Sequence, residues 1–153
     1  MTTERLAEEL LTLWRILRTL YHPVRQAEIT PEQYWLLRLL SRSGSLTIGD
    51  LAAKLEITTS SATAACKRLE RDGLLTRERQ SDDERIVRVA LTEQGTARLQ
   101  AWHERKVQAL TRMLNVLDER EQEQFQEMLE RVLEAARAPV AEDEQPLEEE
   151  RHP

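Results

Sequence analysis

Leu74-Leu75-Thr76-Arg77-Glu78-Arg79 and Ile86-Val87-Arg88-Val89-Ala90-Leu91 flank the polar stretch Gln80-Ser81-Asp82-Asp83-Glu84-Arg85. Through this region the apolar period changes from helical to alternating. The two runs therefore read as strands of one β-hairpin, with the polar residues as its turn. The hairpin leaves a helix at Gly73 and enters another at Thr92, a residue suited to capping. A chain with a single hairpin embedded among helices cannot be a sandwich or barrel.

Working upstream, Ser60 to Asp72 reads as a helix closed by Gly73. Before it lies a shorter helix starting at Thr47, whose hydroxyl stands at capping-box spacing from Asp50 and which turns Leu51, Ala52 and Leu55 inward. The link Glu56-Ile57-Thr58-Thr59 is tight. Two short helices so joined are the elements of a helix-turn-helix, and a hairpin directly after them is a wing.

Further out, Thr30-Pro31-Glu32-Gln33 opens a helix that ends near Ser43, where Gly44 can take a left-handed cap. The first helix runs from about Thr3 to about Tyr21 and carries Leu6, Leu10, Leu13, Trp14, Leu17, Leu20 and Tyr21 at helical spacing; Pro23 disfavours helical geometry at His22 and ends or kinks it. Downstream, the fifth helix runs from Thr92 to near Asn115. Asp118 and Glu121 form a capping box for the sixth, which stripes Phe125, Met128, Leu129, Val132, Leu133 and Ala136. The fold expected is mostly α: six helices and a two-stranded wing, with terminal helices whose broad apolar stripes need a second subunit to cover them.

Composition agrees. Charged residues make up 33% and aromatics 4% of 153 residues, a balance for solvated helices rather than sheets. No run approaches the roughly 18 apolar residues of a spanning helix, and Met1-Thr2-Thr3-Glu4 lacks signal-peptide character, so a cytoplasmic protein is expected. The single cysteine, Cys66, allows no intrachain disulfide. Net charge is −6, but residues 139–153 hold six acids against Arg151 and so contribute −5, leaving −1 on residues 1–138. That acidic, proline-punctuated segment is expected to be a disordered tail.

On a wheel of about 100° per residue, Ala62, Ala65, Cys66 and Leu69 form the buried stripe of the fourth helix. The opposite face collects Ser60, Thr63, Ala64, Lys67 and Arg71, flanked by Ser61 and Arg68, with no acid before Glu70. Small residues let a helix backbone approach base edges, hydroxyls donate or accept there, and cations neutralise phosphates. Cys66, on the inner stripe, is expected to be buried and unreactive, with a redox role left open.

Asp83-Glu84-Arg85-Ile86-Val87-Arg88-Val89-Ala90-Leu91-Thr92 fits D-x-R-x-x-x-x-x-L-T. Leu51-Ala52-Ala53-Lys54-Leu55, Leu69-Glu70-Arg71-Asp72-Gly73-Leu74-Leu75-Thr76-Arg77 and Leu91-Thr92-Glu93-Gln94-Gly95 agree with it. Together these stretches resemble the MarR family of winged helix-turn-helix regulators, and the element order extends the likeness over residues 1–138. The resemblance implies a homodimer joined through its first, fifth and sixth helices, binding a palindromic duplex operator, more often as repressor than activator. It implies Arg85 at the wing tip entering a minor groove, Asp83 holding the Arg85 side chain, and Leu91 anchoring the hairpin. Arg77, Arg79 and Arg88 are further phosphate candidates. The extra acids Asp82 and Glu84 at the tip oppose non-specific binding.

The resemblance also implies a small aromatic or anionic effector, for which Trp14, Tyr21, Tyr34, Trp35 and Arg38 are the candidate lining, though core or interface packing is the ordinary role of such aromatics. The domain reading is a dimerisation helix over 1–29, the winged domain over 30–92, dimerisation helices over 93–138 and the tail over 139–153. No cofactor and no metal are expected, since His22, His103 and His152 lack ligand spacing. Nor is catalysis, with no nucleophile–base pair and no phosphate-cradling loop. The alternative function is a winged-helix module that binds protein instead of DNA.

Overall fold

The computed structural model describes residues 2–83 and 85–138. The expected acidic tail, 139–153, and Glu84 lie outside them. The order is α1 (Thr3–Tyr21), α2 (Pro31–Ser43), β1 (Leu46–Thr47), α3 (Ile48–Leu55), α4 (Thr59–Arg71), β2 (Leu75–Arg79), β3 (Val87–Leu91), α5 (Glu93–Leu114) and α6 (Glu119–Arg137). All six helices and the hairpin are present. The sheet departs from expectation in having three strands, ordered β1-β3-β2. β1 is two residues long, too short to show a period, and it pairs with residues more than forty positions away, Leu46 with Val89 and Thr47 with Arg88.

Local chemistry sets the helix starts. Thr30 accepts from the Gln33 N–H while the Gln33 side chain accepts from the Thr30 N–H, and Pro31 fills the first turn, where its missing N–H costs nothing. Asp118 and Glu121 repeat the device at α6. Thr47 caps α3 through the Asp50 N–H.

By its contacts the chain falls into two units that divide after Val107. In the first, Leu36, Leu37 and Leu40 of α2, Leu51 of α3, Cys66 and Leu69 of α4, and Leu75 and Val89 of the hairpin are sealed from solvent; Tyr34 and Trp102 join them. Helices therefore pack on one face of the small sheet, as a winged domain requires. The hairpin register is Leu75 with Leu91, Arg77 with Val89 and Arg79 with Val87. α1 buries none of its residues and leaves Leu6, Leu10, Leu13, Trp14 and Leu20 substantially exposed. In the second unit, the Gln122 amide donates to the Leu114 and Leu117 carbonyls across the turn before α6. α6 likewise buries nothing and exposes Phe125, Met128, Leu129, Val132 and Leu133.

Candidate nucleic-acid interface

α3 ends on Glu56, which takes the left-handed conformation (φ 53°) and donates to the Ala52 and Ala53 carbonyls. Ile57 then bonds back to Ala52 O at 3.0 Å. This reversal brings Thr58 to the start of α4, where its hydroxyl accepts from the Ser61 N–H (3.1 Å) and donates to Ser61 Oγ (2.9 Å). Thr58 is thus the cap, two residues before the expected start at Ser60. Thr58, Thr59 and Ser60 are all residue types that can cap, and the chain reversal at Glu56 places Thr58 in that role.

The α4 wheel is confirmed in its inner half: Ala62, Ala65, Cys66 and Leu69 are buried. Ser60, Ser61, Ala64, Lys67, Arg68 and Arg71 are exposed, while Thr63 is half-buried at the edge of the face. The helix N-terminus carries no acid in its first turn, so its unpaired N–H groups and dipole stay positive towards solvent. Burial pushes the Cys66 thiol up to about 11, against the pull of Arg77.

At the wing tip, Gln80 N–H bonds to Ile86 O and Ile86 N–H to Asp83 O. The Asp83 carboxylate accepts from the backbone N–H of Arg85 at 3.0 Å. It therefore fixes the turn that carries Arg85, whereas the expectation was a bond to the guanidinium; Arg85 is exposed. Arg79 and Arg88 are exposed too, with Arg88 reaching the Ser45 carbonyl at 3.4 Å. Arg77 differs from the expected phosphate contact. Its side chain is only 19% exposed and pairs with Glu70 at 3.3 Å, tying β2 to α4. A guanidinium so engaged is poorly placed to reach a phosphate.

The wing is seated by Thr92. Its hydroxyl donates to Gly73 O (2.6 Å) and accepts from Gly95 N–H (3.0 Å), while its own N–H reaches Leu74 O (3.2 Å). One residue thus clamps the exit of α4, the base of the hairpin and the first turn of α5.

The aromatic candidates separate. Tyr34 is buried and meets His22, Trp35 and Trp102 at ring-centre distances of 4.5, 5.2 and 6.0 Å. Trp14 is exposed on α1 beneath the Arg18 guanidinium, and Tyr21 is half-buried at the end of α1. Arg38 is half-buried, its Nε without a hydrogen-bond partner among the described residues. His22 and Trp102 were missed from sequence, because a lone histidine or tryptophan has no motif. Burial, then the charges of Lys106, Arg18, Arg25 and Arg38, lower the His22 pKa to about 4. The imidazole is neutral, and its Nδ1 accepts from the Val24 N–H.

A MarR-family model matches residues 29–87, which hold α2, the helix-turn-helix, β2 and the turn into β3. These residues belong to the MarR family. Over 108 residues the chain is 28% identical to the transcriptional repressor MdtR of Bacillus subtilis, covering 71% of this chain and 70% of that one. Over 80 residues it is 40% identical to the transcriptional regulator FarR of Neisseria gonorrhoeae, covering 52% of this chain and 55% of FarR. A transcriptional regulator from Thermotoga maritima superposes with a TM-score of 0.70 at 25% identity, covering 86% of this chain and 92% of that one. A MepR variant from S. aureus, solved bound to an oligodeoxyribonucleotide, shares the fold with a TM-score of 0.68 at 23% identity, covering 90% and 100%. The relatives named from sequence are HTH-type transcriptional regulators rather than enzymes. Among the described residues no helix is long and apolar enough to cross a membrane.

Proposed function

We propose that this MarR-family chain is a cytoplasmic, sequence-specific regulator of transcription, a repressor, that binds a palindromic duplex operator as a homodimer. The observation that carries the reading is the outer face of α4. Ser60, Ser61, Ala64, Lys67, Arg68 and Arg71 are exposed at the positive end and along one side of a capped helix, and the turn beside it presents Arg85. Residues 30–92 are the DNA-binding domain in this reading. Ser60, Ser61, Thr63 and Ala64 meet base edges, Lys67, Arg68, Arg79 and Arg88 take phosphates, and Arg85, on the turn set by Asp83, enters the minor groove. Residues 1–29 and 93–138 supply the dimer contacts, supported by the uncovered apolar stripes of α1 and α6.

Release by a small aromatic anion is part of the proposal. Tyr34, Trp35 and His22 supply ring surface, and Arg38 brings an Nε that has no hydrogen-bond partner among the described residues. Arg18, Arg25, Arg38 and Lys106 act together on His22, so the region favours negative charge. Trp14 and Tyr21 of α1 would border it.

The test is selection of duplex from a random pool, followed by affinity measured against salt. A palindrome and a steep loss of affinity with salt are expected. Arg85→Ala should cost about 1–3 kcal/mol at the selected site and relax any A·T preference under the wing. Indifference to every duplex at low ionic strength would overturn the proposal in favour of a protein-binding module.

A further inference from the structure

The segment between α1 and α2, residues 22–30, is fastened at several points. Pro23 is buried, and Val24 and Ile29 pack on the core of the winged unit. The Gln26 amide donates to the last carbonyls of α1, those of Thr19 and Leu20. Ala27 then takes the left-handed conformation (φ 55°) and turns the chain.

Glu28 follows that turn. Its Oε2 accepts from the Trp102 indole N–H at 3.0 Å and from Arg105 Nη2 at 3.1 Å, and its Oε1 accepts from Arg105 Nη1. Both donors belong to α5, more than seventy residues away. One carboxylate thus receives a forked guanidinium and an indole, a geometry that fixes direction as well as distance. Trp102 is sealed in the core, whereas the Glu28 and Arg105 side chains are 30% and 43% exposed. A pair so open to solvent adds little to folding stability. Its directional hold on α5 is its distinctive property.

We infer that Glu28 is a positioning residue for DNA binding, holding α5 at a set angle to the winged unit through Trp102 and Arg105 and so setting the spacing at which two recognition helices are presented. The inference rests on the dimeric DNA-binding reading above. The leverage is adequate: α5 continues for nine residues beyond Arg105, roughly 14 Å. A 10° change in its direction moves that end by about 2 Å, a large part of the roughly 3.4 Å step between stacked base pairs.

The experiment measures affinity of wild type, Glu28→Gln and Arg105→Met for palindromes with half-sites about 10 base pairs apart, for the same palindromes with one base pair added or removed, and for a single half-site. Glutamine keeps an acceptor for the indole and loses the ionic fork. Wild type is expected to lose about tenfold or more on a one-pair change in spacing. Both variants should bind the best spacing roughly tenfold more weakly and lose most of that spacing penalty. Half-site affinity and dimer mass should stay as in wild type, and the Trp102 indole proton resonance should shift. A merely structural role would lower half-site and full-site affinity together, and that result overturns the inference. So does an unchanged spacing penalty in both variants. Wild type that binds no duplex overturns the functional reading itself, and the positioning role with it.

Discussion

Replacing Gly95 by alanine tests how the wing is seated. A Cβ at Gly95 would lie 2.0 Å from the Leu74 carbonyl oxygen, 3.0 Å from its carbon and 3.2 Å from the Leu91 side chain. The obstacle is backbone, so no rotamer relieves it, and a carbon–oxygen contact needs about 3.3 Å. The first turn of α5 must therefore retreat by roughly 1 Å. That movement pulls on the three bonds of Thr92, to Gly73 O, from Gly95 N–H and to Leu74 O. Losing two of them costs about 1 kcal/mol each, and the overpacking about 1–3 kcal/mol. Alanine's better helix propensity returns about 1 kcal/mol, so the net loss is about 2–4 kcal/mol. For a chain of this length that lowers Tm by about 5–15 °C. The assay is thermal unfolding by circular dichroism at one fixed protein concentration, because self-association of the kind proposed would shift Tm by mass action. Gly49→Ala is the control. There a Cβ meets only Thr47 Oγ1, at 3.8 Å, and the position is exposed. The same substitution should stabilise it by about 0.4–1 kcal/mol. If Gly95→Ala melts with wild type, the close approach of α5 to Leu74 is wrong, and with it the account of the Thr92 clamp.

His22 supplies an acid sensitivity of defined sign. Its folded pKa of about 4 lies below the ordinary 6.5, so the unfolded chain takes the proton first and stability falls as pH drops from about 6.5 through 4. After discounting for partial solvent screening the loss is about 1–2 kcal/mol; His22→Gln should flatten denaturant midpoints over that window, and an unchanged slope counts against the assignment. The Glu28 contribution, with Arg105 holding the carboxylate ionised, is lost further down, below 4.5. At pH 8 Cys66 should be thiolate in about one molecule per thousand, so a thiol reagent should modify it no faster than the protein opens. Rapid modification of the native protein would contradict its burial. Removing residues 139–153 deletes a charge of −5 and is expected to tighten duplex binding about two- to fivefold at low salt, with the gain shrinking as salt rises. Equal affinities at low salt would show that the segment does not compete with DNA.

What the sequence disclosed and what it hid divide along one physical line. The capping boxes at Thr30–Gln33 and Asp118–Glu121 were legible because both partners lie within four residues. The inner stripe Ala62, Ala65, Cys66 and Leu69 was legible because a helix repeats. Thr92 announced itself as a cap, yet its second bond, to Gly73 O nineteen residues back, did not. β1 was hidden because its identity as a strand depends on Val89 and Arg88. The same holds for Glu28, whose partners are 74 and 77 residues away. Arg77 shows the limit most clearly. As a cation on a wing it invites a phosphate, but Glu70 one helix turn before the hairpin claims it first. Local chemistry writes periods and caps into the sequence, while the choice of partner belongs to the tertiary fold.

The terminal helices carry that argument to the level of assembly. α1 has a Thr2 cap and an exposed Arg5–Glu9 pair to favour helix, contributions of about 1 and 0.3–0.5 kcal/mol. Nineteen residues held only so are marginal as an isolated helix. Yet α1 leaves Leu6, Leu10, Trp14 and Leu20 more than 40% exposed, and α6 does the same with Met128, Leu129 and Val132. A stripe at positions i, i+4 and i+7 that stays uncovered gains nothing from its own periodicity. The periodicity has a physical use once a second surface covers it. In the proposed homodimer, folding of these helices and pairing of two chains are one equilibrium, and the uncovered stripes of α1 and α6 are the part of this sequence that the core of the winged unit does not account for.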